Sequence, residues 1–379
     1  MLKTSLILFT ITSIIFSTIY TPQALLPTLK EVFHISIAET NLLLSVMLFV
    51  LMVVTPFYAP LARRFEKKKI MMVSIFFLFL SVLLSAFSSN FYYLLASRVM
   101  QGIFIPGITA IMLSYVPEVY PKEYRGLGMG IYMAATGFGA VMGRLLAAWV
   151  SYIYSWREAF GVFALLLFLA WVLMAWGLPK SNTTQPQKNL DTQLFWQYLR
   201  DKKFLSVLLI PMVVFFTFMA MTTFVTYHLS LAPYSLNASA LGSLFLVLLL
   251  AVVVSPLAGR LSDSVSRVKL IYIGIFFLIL GLFLMLLNPL SMVIVGLGFV
   301  VIGMFTVQSV APTYLIALAP HDKATITVLY QSFFYFGGVM GTLLPSLAWA
   351  YGGFDGVVWV CVWLLLLGIG FLSYTRRKG

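Results

Sequence analysis

Long apolar runs separated by short polar segments fill the chain from one end to the other. A helix that crosses a bilayer needs about 20 mainly apolar residues, and twelve runs of roughly that length can be marked. The first six lie at about 5–26, 41–61, 70–88, 92–115, 126–150 and 157–177. The other six lie at about 204–229, 239–260, 269–287, 290–316, 325–349 and 356–374. The pattern predicts an all-α integral membrane protein with twelve transmembrane helices.

The two groups of six predicted spans repeat one another. In the fifth span small residues recur at every fourth position, and the eleventh span repeats this arrangement almost letter for letter. Residues four apart share one face of a helix, so glycines there allow a second backbone to approach closely. The predicted packing positions are Gly139 and Gly143 in the fifth span and Gly337 and Gly341 in the eleventh.

A change from apolar to polar sequence separates the two groups, over residues 179–203. Polar segments of that kind commonly link domains. We therefore expect an N-terminal six-helix bundle at 1–178, a cytosolic linker, and a pseudo-symmetric C-terminal six-helix bundle at 204–379. Parallel six-helix repeats are typical of secondary transporters, with the substrate site at the interface between the repeats.

Composition and charge strengthen the membrane assignment. Hydrophobic residues make up 61% of the 379 residues and charged residues only 9%, against about 45–50% and about 25% in soluble domains. The net charge is +13, but twenty of the 24 Lys and Arg fall in the segments that face the cytosol if the N-terminus lies inside. The positive-inside rule then predicts that both termini are cytosolic. The charge is explained by the cytoplasmic (inner) membrane and its lipid bilayer, so no nucleic acid is expected as a partner.

Three motifs resemble those of the major facilitator superfamily, and the resemblance covers essentially the whole chain. The matching segments are Gly259-Arg-Leu-Ser-Asp263-Ser-Val-Ser-Arg267 for the superfamily's loop motif, Arg98-Val-Met-Gln101-Gly102 for its helix-4 motif, and Pro121 with Arg125 for the segment that carries the antiporter motif in efflux members. The resemblance implies the twelve-helix major facilitator fold and a secondary active transporter that works by alternating access, as a monomer.

The segment Tyr20-Thr-Pro-Gln-Ala-Leu-Leu-Pro27, together with Gly143-Arg144 and Trp156-Arg157, resembles the efflux-permease branch, whose members are drug:proton antiporter-like or arabinose-efflux-like. This resemblance implies proton-driven export of a small organic compound. The superfamily's loop motif, for its part, implies a conformational latch at the cytosolic face. The latch residues would be Gly259, Asp263, Arg267 and Arg125.

The sequence departs from the superfamily pattern at two places. Ala59 and Arg63 stand where the first-half loop motif has glycine and aspartate, and the fifth span lacks the Gly-Pro of the antiporter motif. Two other functions on the same fold stay open: a proton-coupled importer of an organic anion and a lipid flippase.

Two arginines, Arg98 and Arg144, lie inside predicted spans, each about six residues from the outer end. An arginine at the centre of a span costs at least about 2.5–3.5 kcal/mol to insert, so such residues usually face a cavity and serve a function. No Asp or Glu lies clearly inside a span. The pair therefore predicts one site for an anionic, zwitterionic or polar substrate. In the alternative interpretation, each arginine reaches the outer surface or caps carbonyl groups of a neighbouring helix.

Other polar side chains in the spans complete the predicted site. Glutamine that faced lipid would lack hydrogen-bond partners, so span glutamines are expected to face a cavity. The further substrate-binding candidates are Gln23, Gln101, Gln308, Gln331, Tyr20 and Tyr335. The candidates for carrying a coupling proton are Glu31, His228 and Glu118.

Catalytic chemistry finds no support in the sequence. The three histidines lie in different loops or span ends without metal-ligand spacing, and the glycines form no phosphate-binding loop. We therefore expect no enzyme activity, no metal and no cofactor. Without a nucleotide site, an ion gradient is expected to drive the movement of a small-molecule substrate.

Overall fold

The structure is a computed structural model that describes residues 2–180, 197–318 and 323–377. Every regular element in those ranges is a helix, which confirms the all-α prediction. Eleven helices in the described residues are long and apolar enough to cross a membrane. The helix over residues 323–343, on which the eleventh predicted span falls, is not among the eleven, and it carries Gln331 and three glycines.

The helices belong to two compact units, each with its own core. The first unit comprises residues 1–187 together with residues 235–246. Its helices are α1 (Leu2–Tyr20), α2 (Leu26–Phe33), α3 (Ile37–Val54), α4 (Tyr58–Arg64), α5 (Lys67–Ala86), α6 (Phe91–Phe104), α7 (Pro106–Val119), α8 (Arg125–Ile153), α9 (Trp156–Gly177) and, from later in the chain, α11 (Ala238–Leu244).

The second unit comprises residues 188–234 and 247–379. Its helices are α10 (Lys202–Ser230), α12 (Leu250–Ser264), α13 (Arg267–Met285), α14 (Leu290–Leu318), α15 (Lys323–Leu343) and α16 (Pro345–Arg377). Gly353 interrupts α16, because its φ of 56° lies in the left-handed region that glycine tolerates. Residues 181–196 of the predicted linker lie outside the described residues.

A break in the first span shapes the interior of the first unit. Helix α1 ends at Tyr20, a 3-10 turn follows at Thr21–Leu25, and α2 continues to Phe33. Pro22 stands in the first positions of the 3-10 turn, where its missing N–H prevents the α-helical ladder from continuing. The prediction that the first span ends near residue 26 was wrong, because the chain becomes helical again beyond the break.

Glycines allow two pairs of helices to pack with their backbones in close contact. In the first unit α8 packs on α1, and in the second unit α15 packs on α10. A Cβ on any of these glycines would collide with a backbone carbonyl of the facing helix. The pairs are Gly139 with Ser13, Gly143 with Ser17, Gly337 with Met212, and Gly341 with Phe216. Each unit therefore contains the same close contact.

Candidate substrate site

Arg98, on α6, is fully buried, and protein acceptors take up all of its donors. Its five N–H groups are matched by five hydrogen bonds. Nε donates to the carbonyl of Leu43 (3.0 Å), Nη1 to the carbonyl of Thr18 (3.2 Å) and to Oε1 of Gln101, and Nη2 to the carbonyl of Ile19 (2.9 Å) and to the sulfur of Met47 (2.8 Å). In this arrangement the guanidinium has no donor left for a substrate.

The proline of the α1 break explains why Arg98 is directed at that segment. In an uninterrupted helix the carbonyl of Thr18 would accept from the N–H of residue 22, but Pro22 has none. A buried carbonyl without a donor is costly, and Arg98 supplies the missing donor. This geometry favours the interpretation in which Arg98 caps carbonyl groups of a neighbouring helix.

Gln101 extends this hydrogen-bonded network toward α5. Its oxygen accepts from Arg98, while its Nε2 donates to Oγ of Ser85 (2.9 Å) and to the carbonyl of Ser81 (3.4 Å). Ser85 in turn shares a hydrogen bond with Ser97 of α6 (2.7 Å between the oxygens). Gln101 therefore joins two helices and fixes the plane of the Arg98 guanidinium.

Arg144, on α8, is also buried, with 1% of its surface exposed, but its donors are only partly used. Nε donates to Oε1 of Gln23 (2.7 Å), and Nη1 donates to the carbonyl of Ala140 (2.6 Å). Nη2 is buried and has no hydrogen-bond partner. No ion pair found among the described residues includes Arg144. The first unit therefore buries a cation with one unsatisfied donor nitrogen.

Two aromatic rings lie against the Arg144 guanidinium. Its Cζ lies 4.0 Å from the ring centre of Tyr20 and 4.9 Å from that of Phe245. A desolvated cation on an aromatic face gains about 2 kcal/mol from the quadrupole of the ring. The rings stabilise the charge without neutralising it, so the site keeps its attraction for an anion.

Both arginines contact the segment that surrounds the α1 break, although they share no hydrogen-bond partner. Arg98 holds the carbonyls of Thr18 and Ile19, and Arg144 contacts the side chains of Tyr20 and Gln23. The break therefore determines where the side chains of Tyr20 and Gln23 project.

The three candidates for carrying a proton lie in different environments. Glu118 forms a largely buried ion pair with Lys67, whose side chain also donates to the carbonyl of Ser114 (3.5 Å). Glu31 is exposed on α2. His228 is half-buried in the second unit, where its ring stacks on Phe354 with the centres 4.2 Å apart. Glu31 and Glu118 belong to the first unit and His228 to the second.

The remaining predicted residues are distributed over both units. Gln308, Gln331 and Tyr335 are half-buried in the second unit. Arg125 is exposed at the first residue of α8, and Arg267 is half-buried at the first residue of α13. A Cβ at Gly259 would meet no neighbouring atom within 4 Å. The side chain of Asp263 lies outside the described part of the structure, so the latch stays a prediction.

Three residues of these networks were missed by the sequence analysis. Phe245 contacts Arg144 from about 100 positions further along the chain, and no sequence pattern indicates such a contact. Lys67 was counted only as a cytosolic charge, although it pairs with Glu118. The role of Pro22 could have been predicted from the sequence. A proline four residues after Thr18 means that the carbonyl of Thr18 lacks its helical donor.

The helices and the buried cation define a multi-pass membrane protein with a polar site inside its first unit. The Major Facilitator Superfamily matches residues 6–342, and the chain belongs to this family. Members of the family carry small molecules across membranes, typically as monomers.

Similar proteins agree with this assignment. The chain is 29% identical over 367 residues to the uncharacterized MFS-type transporter YybF of Bacillus subtilis (strain 168), covering 96% of this chain and 91% of that protein. It is 29% identical over 382 residues to the inner membrane transport protein YnfM of Escherichia coli (strain K12), covering 99% and 90%.

Solved structures show the same fold. A bacterial homologue of the human lysosomal transporter Spinster gives a TM-score of 0.82 at 17% identity, covering 99% of this chain and 96% of that chain. The human organic anion transporter MFSD10 (TETRAN) gives a TM-score of 0.70 at 15% identity, covering 98% and 99%. At these identities the likeness concerns the fold alone.

Proposed function

We propose that the protein is a secondary active transporter that works by alternating access and exports a small organic anion, zwitterion or anionic amphipath in exchange for protons. The observation that carries the proposal is the buried Arg144, whose Nη2 has no partner while two aromatic rings lie against its Cζ. A buried charge with an unused donor is costly, so a bound anion would lower its free energy. The cargo therefore carries a negative group.

The exporting direction and the use of protons rest on the resemblance of Tyr20–Pro27, Gly143-Arg144 and Trp156-Arg157 to the efflux-permease branch. YnfM of Escherichia coli is an inner membrane transport protein, which supports the cytoplasmic membrane as the location. An importer of an organic anion would use the same buried arginine. The direction of transport under an imposed pH gradient separates the two.

Reconstituted vesicles of known orientation test the proposal. A panel of organic anions is added while an imposed pH gradient is followed by a trapped pH-sensitive dye. We expect wild-type protein to dissipate the gradient with at least one anion of the panel and to move that anion against the proton flux. Arg144→Gln should lower the transport rate at least about tenfold, because a hydrogen bond to a charged group contributes about 1.5–3 kcal/mol.

Arg200→Gln is the control, since it removes the same charge from an exposed position outside these motifs. It should transport at close to the wild-type rate. Normal transport by Arg144→Gln at equal protein content would contradict the proposal. Movement of the anion in the same direction as the protons would show that the protein is an importer.

A further inference from the structure

The Arg144 guanidinium presents one edge that is half occupied. Nε and Nη2 of an arginine point two N–H groups in the same direction, and this edge matches two oxygens of one planar acid group. At Arg144 the Nε half of the edge donates to Oε1 of Gln23 at 2.7 Å. The Nη2 half has no partner. A glutamine amide carries one oxygen and a nitrogen that only donates, so it cannot fill both halves.

We propose that the Nε–Nη2 edge of Arg144 binds a carboxylate of the transported compound, and that Gln23 is the residue which this carboxylate displaces. The amide oxygen of Gln23 stands where we propose that one carboxylate oxygen binds. On binding, one carboxylate oxygen accepts a hydrogen bond from Nε and the other accepts one from Nη2. This inference rests on the proposed function and adds the chemical class of the cargo and the residue that competes with it.

The number of free donors favours a monoanion over a dianion. Among the arginines whose side chains the structure describes, Arg98 is also fully buried in the first unit, but its five N–H groups are all used within the protein. Arg144 is therefore the buried arginine of that unit that offers donors to a ligand. Its Nε–Nη2 edge pairs with the two oxygens of a carboxylate, whereas a dianionic phosphate would bury a further charged oxygen without a donor. The neutral amide of the same shape would supply one oxygen and no charge.

Benzoate, benzamide and inorganic phosphate are the probes that separate these alternatives on the purified full-length protein. Thermal unfolding is followed by tryptophan fluorescence at increasing concentrations of each. We expect benzoate to raise the melting temperature in a saturable way, while isosteric benzamide and phosphate leave it unchanged.

Two substitutions at Gln23 test the displacement. Gln23→Glu provides a tethered carboxylate for the same edge, so it should raise the melting temperature by itself and abolish the response to benzoate. Gln23→Ala removes the competing oxygen, so the response to benzoate should stay and reach half-saturation at several-fold lower concentration. Gln197→Glu adds a carboxylate at an exposed position and should behave as the wild type.

Four results would overturn the inference: equal shifts with benzoate and benzamide, a larger shift with phosphate, a wild-type response to benzoate in Gln23→Glu, or no stabilisation of Gln23→Glu relative to Gln197→Glu. These results are distinguishable from failure of the proposed function. If Arg144→Gln still loses transport in vesicles while any of the four is observed, the transporter proposal stands and the carboxylate assignment falls.

Discussion

Thr18 and Pro22 decide how one of the two buried arginines is used. Because Pro22 has no N–H, the carbonyl of Thr18 loses its helical donor, and Arg98 replaces that donor across the helix interface. Arg144 faces no such demand, and its Nη2 has no partner. Two residues of the same type, at similar depth in the sequence-predicted spans, therefore differ in the number of donors that remain for a ligand.

Arg98→Lys tests whether Arg98 acts by holding the α1 break. A lysine ammonium has three donors on one nitrogen and cannot reproduce the five hydrogen bonds of the guanidinium, so carbonyls of α1 and α3 should lose donors. Each buried carbonyl left unsatisfied costs about 1–3 kcal/mol. We expect a lower melting temperature together with lost transport. Pro22→Ala restores the N–H that Thr18 lacks, so Pro22→Ala combined with Arg98→Lys should recover part of the stability.

Loss of transport by Arg98→Lys at an unchanged melting temperature would show that Arg98 contacts the cargo directly. The combined variant gives an independent readout. A role in cargo binding predicts no recovery by Pro22→Ala, whereas a role in holding the break predicts a non-additive effect of the two substitutions.

At the level of elements, the close approach of α1 to α8 follows from residues that the sequence marks plainly. Glycines four apart predict a helix face without side chains, and Gly139 and Gly143 lie against carbonyls of α1. The contact of Phe245 with Arg144 is different, since it joins segments far apart in the chain and depends on tertiary packing. Periodicity therefore predicted the spans and the packing face, but it could not assign the partners of the buried arginines.

Gly143→Ala tests the packing of α8 on α1. The new Cβ would collide with the carbonyl of Ser17, so the helices must separate, and overpacking of this kind costs about 1–3 kcal/mol. Gly137→Ala is the matched control on the same helix, because its Cβ would meet no neighbouring atom within 4 Å. There the substitution should be neutral or stabilising by up to about 1 kcal/mol, since alanine is the better helix former.

Thermal unfolding of both variants measures this difference. A melting temperature for Gly143→Ala as high as that of Gly137→Ala would mean that the helices adjust without cost. Packing of α8 on α1 would then not require glycine at position 143.

At the scale of the whole molecule, the repeat preserves packing but not charge. Gly143-Arg144 of the first unit corresponds in sequence to Gly341-Thr342 of the second. The hydroxyl of Thr342 donates to carbonyls of its own helix, at 3.3 Å from Gly338 and 2.9 Å from Val339. The duplicated helices thus keep the same backbone contact, whereas Arg144 is fully buried in the first unit and the corresponding residue of the second is the neutral Thr342. The repeat predicted the helical framework, and the single arginine is the basis for proposing the site in the first copy.

In the first unit, hydrogen bonds join α5 and α9 at both ends of the helix pair. Lys68 donates to the carbonyls of Ala175 (2.9 Å) and Leu178 (2.5 Å), which joins the start of α5 to the end of α9. Arg157 donates to the carbonyl of Ser88 (3.1 Å), which joins the opposite ends. The positive-inside rule assigns the lysine-rich end to the cytosol.

Cysteine labelling in intact cells tests this orientation and, with it, the cytosolic termini. Cys361 is fully buried, so it should react little and can be replaced by alanine as a precaution. In that background Ser89→Cys, at an exposed position between α5 and α6, should react with a membrane-impermeant maleimide without permeabilisation. Lys69→Cys, exposed at the lysine-rich end of α5, should react only after the membrane is permeabilised. The reverse labelling pattern would show that the topology is inverted and that the lysine-rich loop lies outside the cell. The direction inferred for export would then be reversed as well.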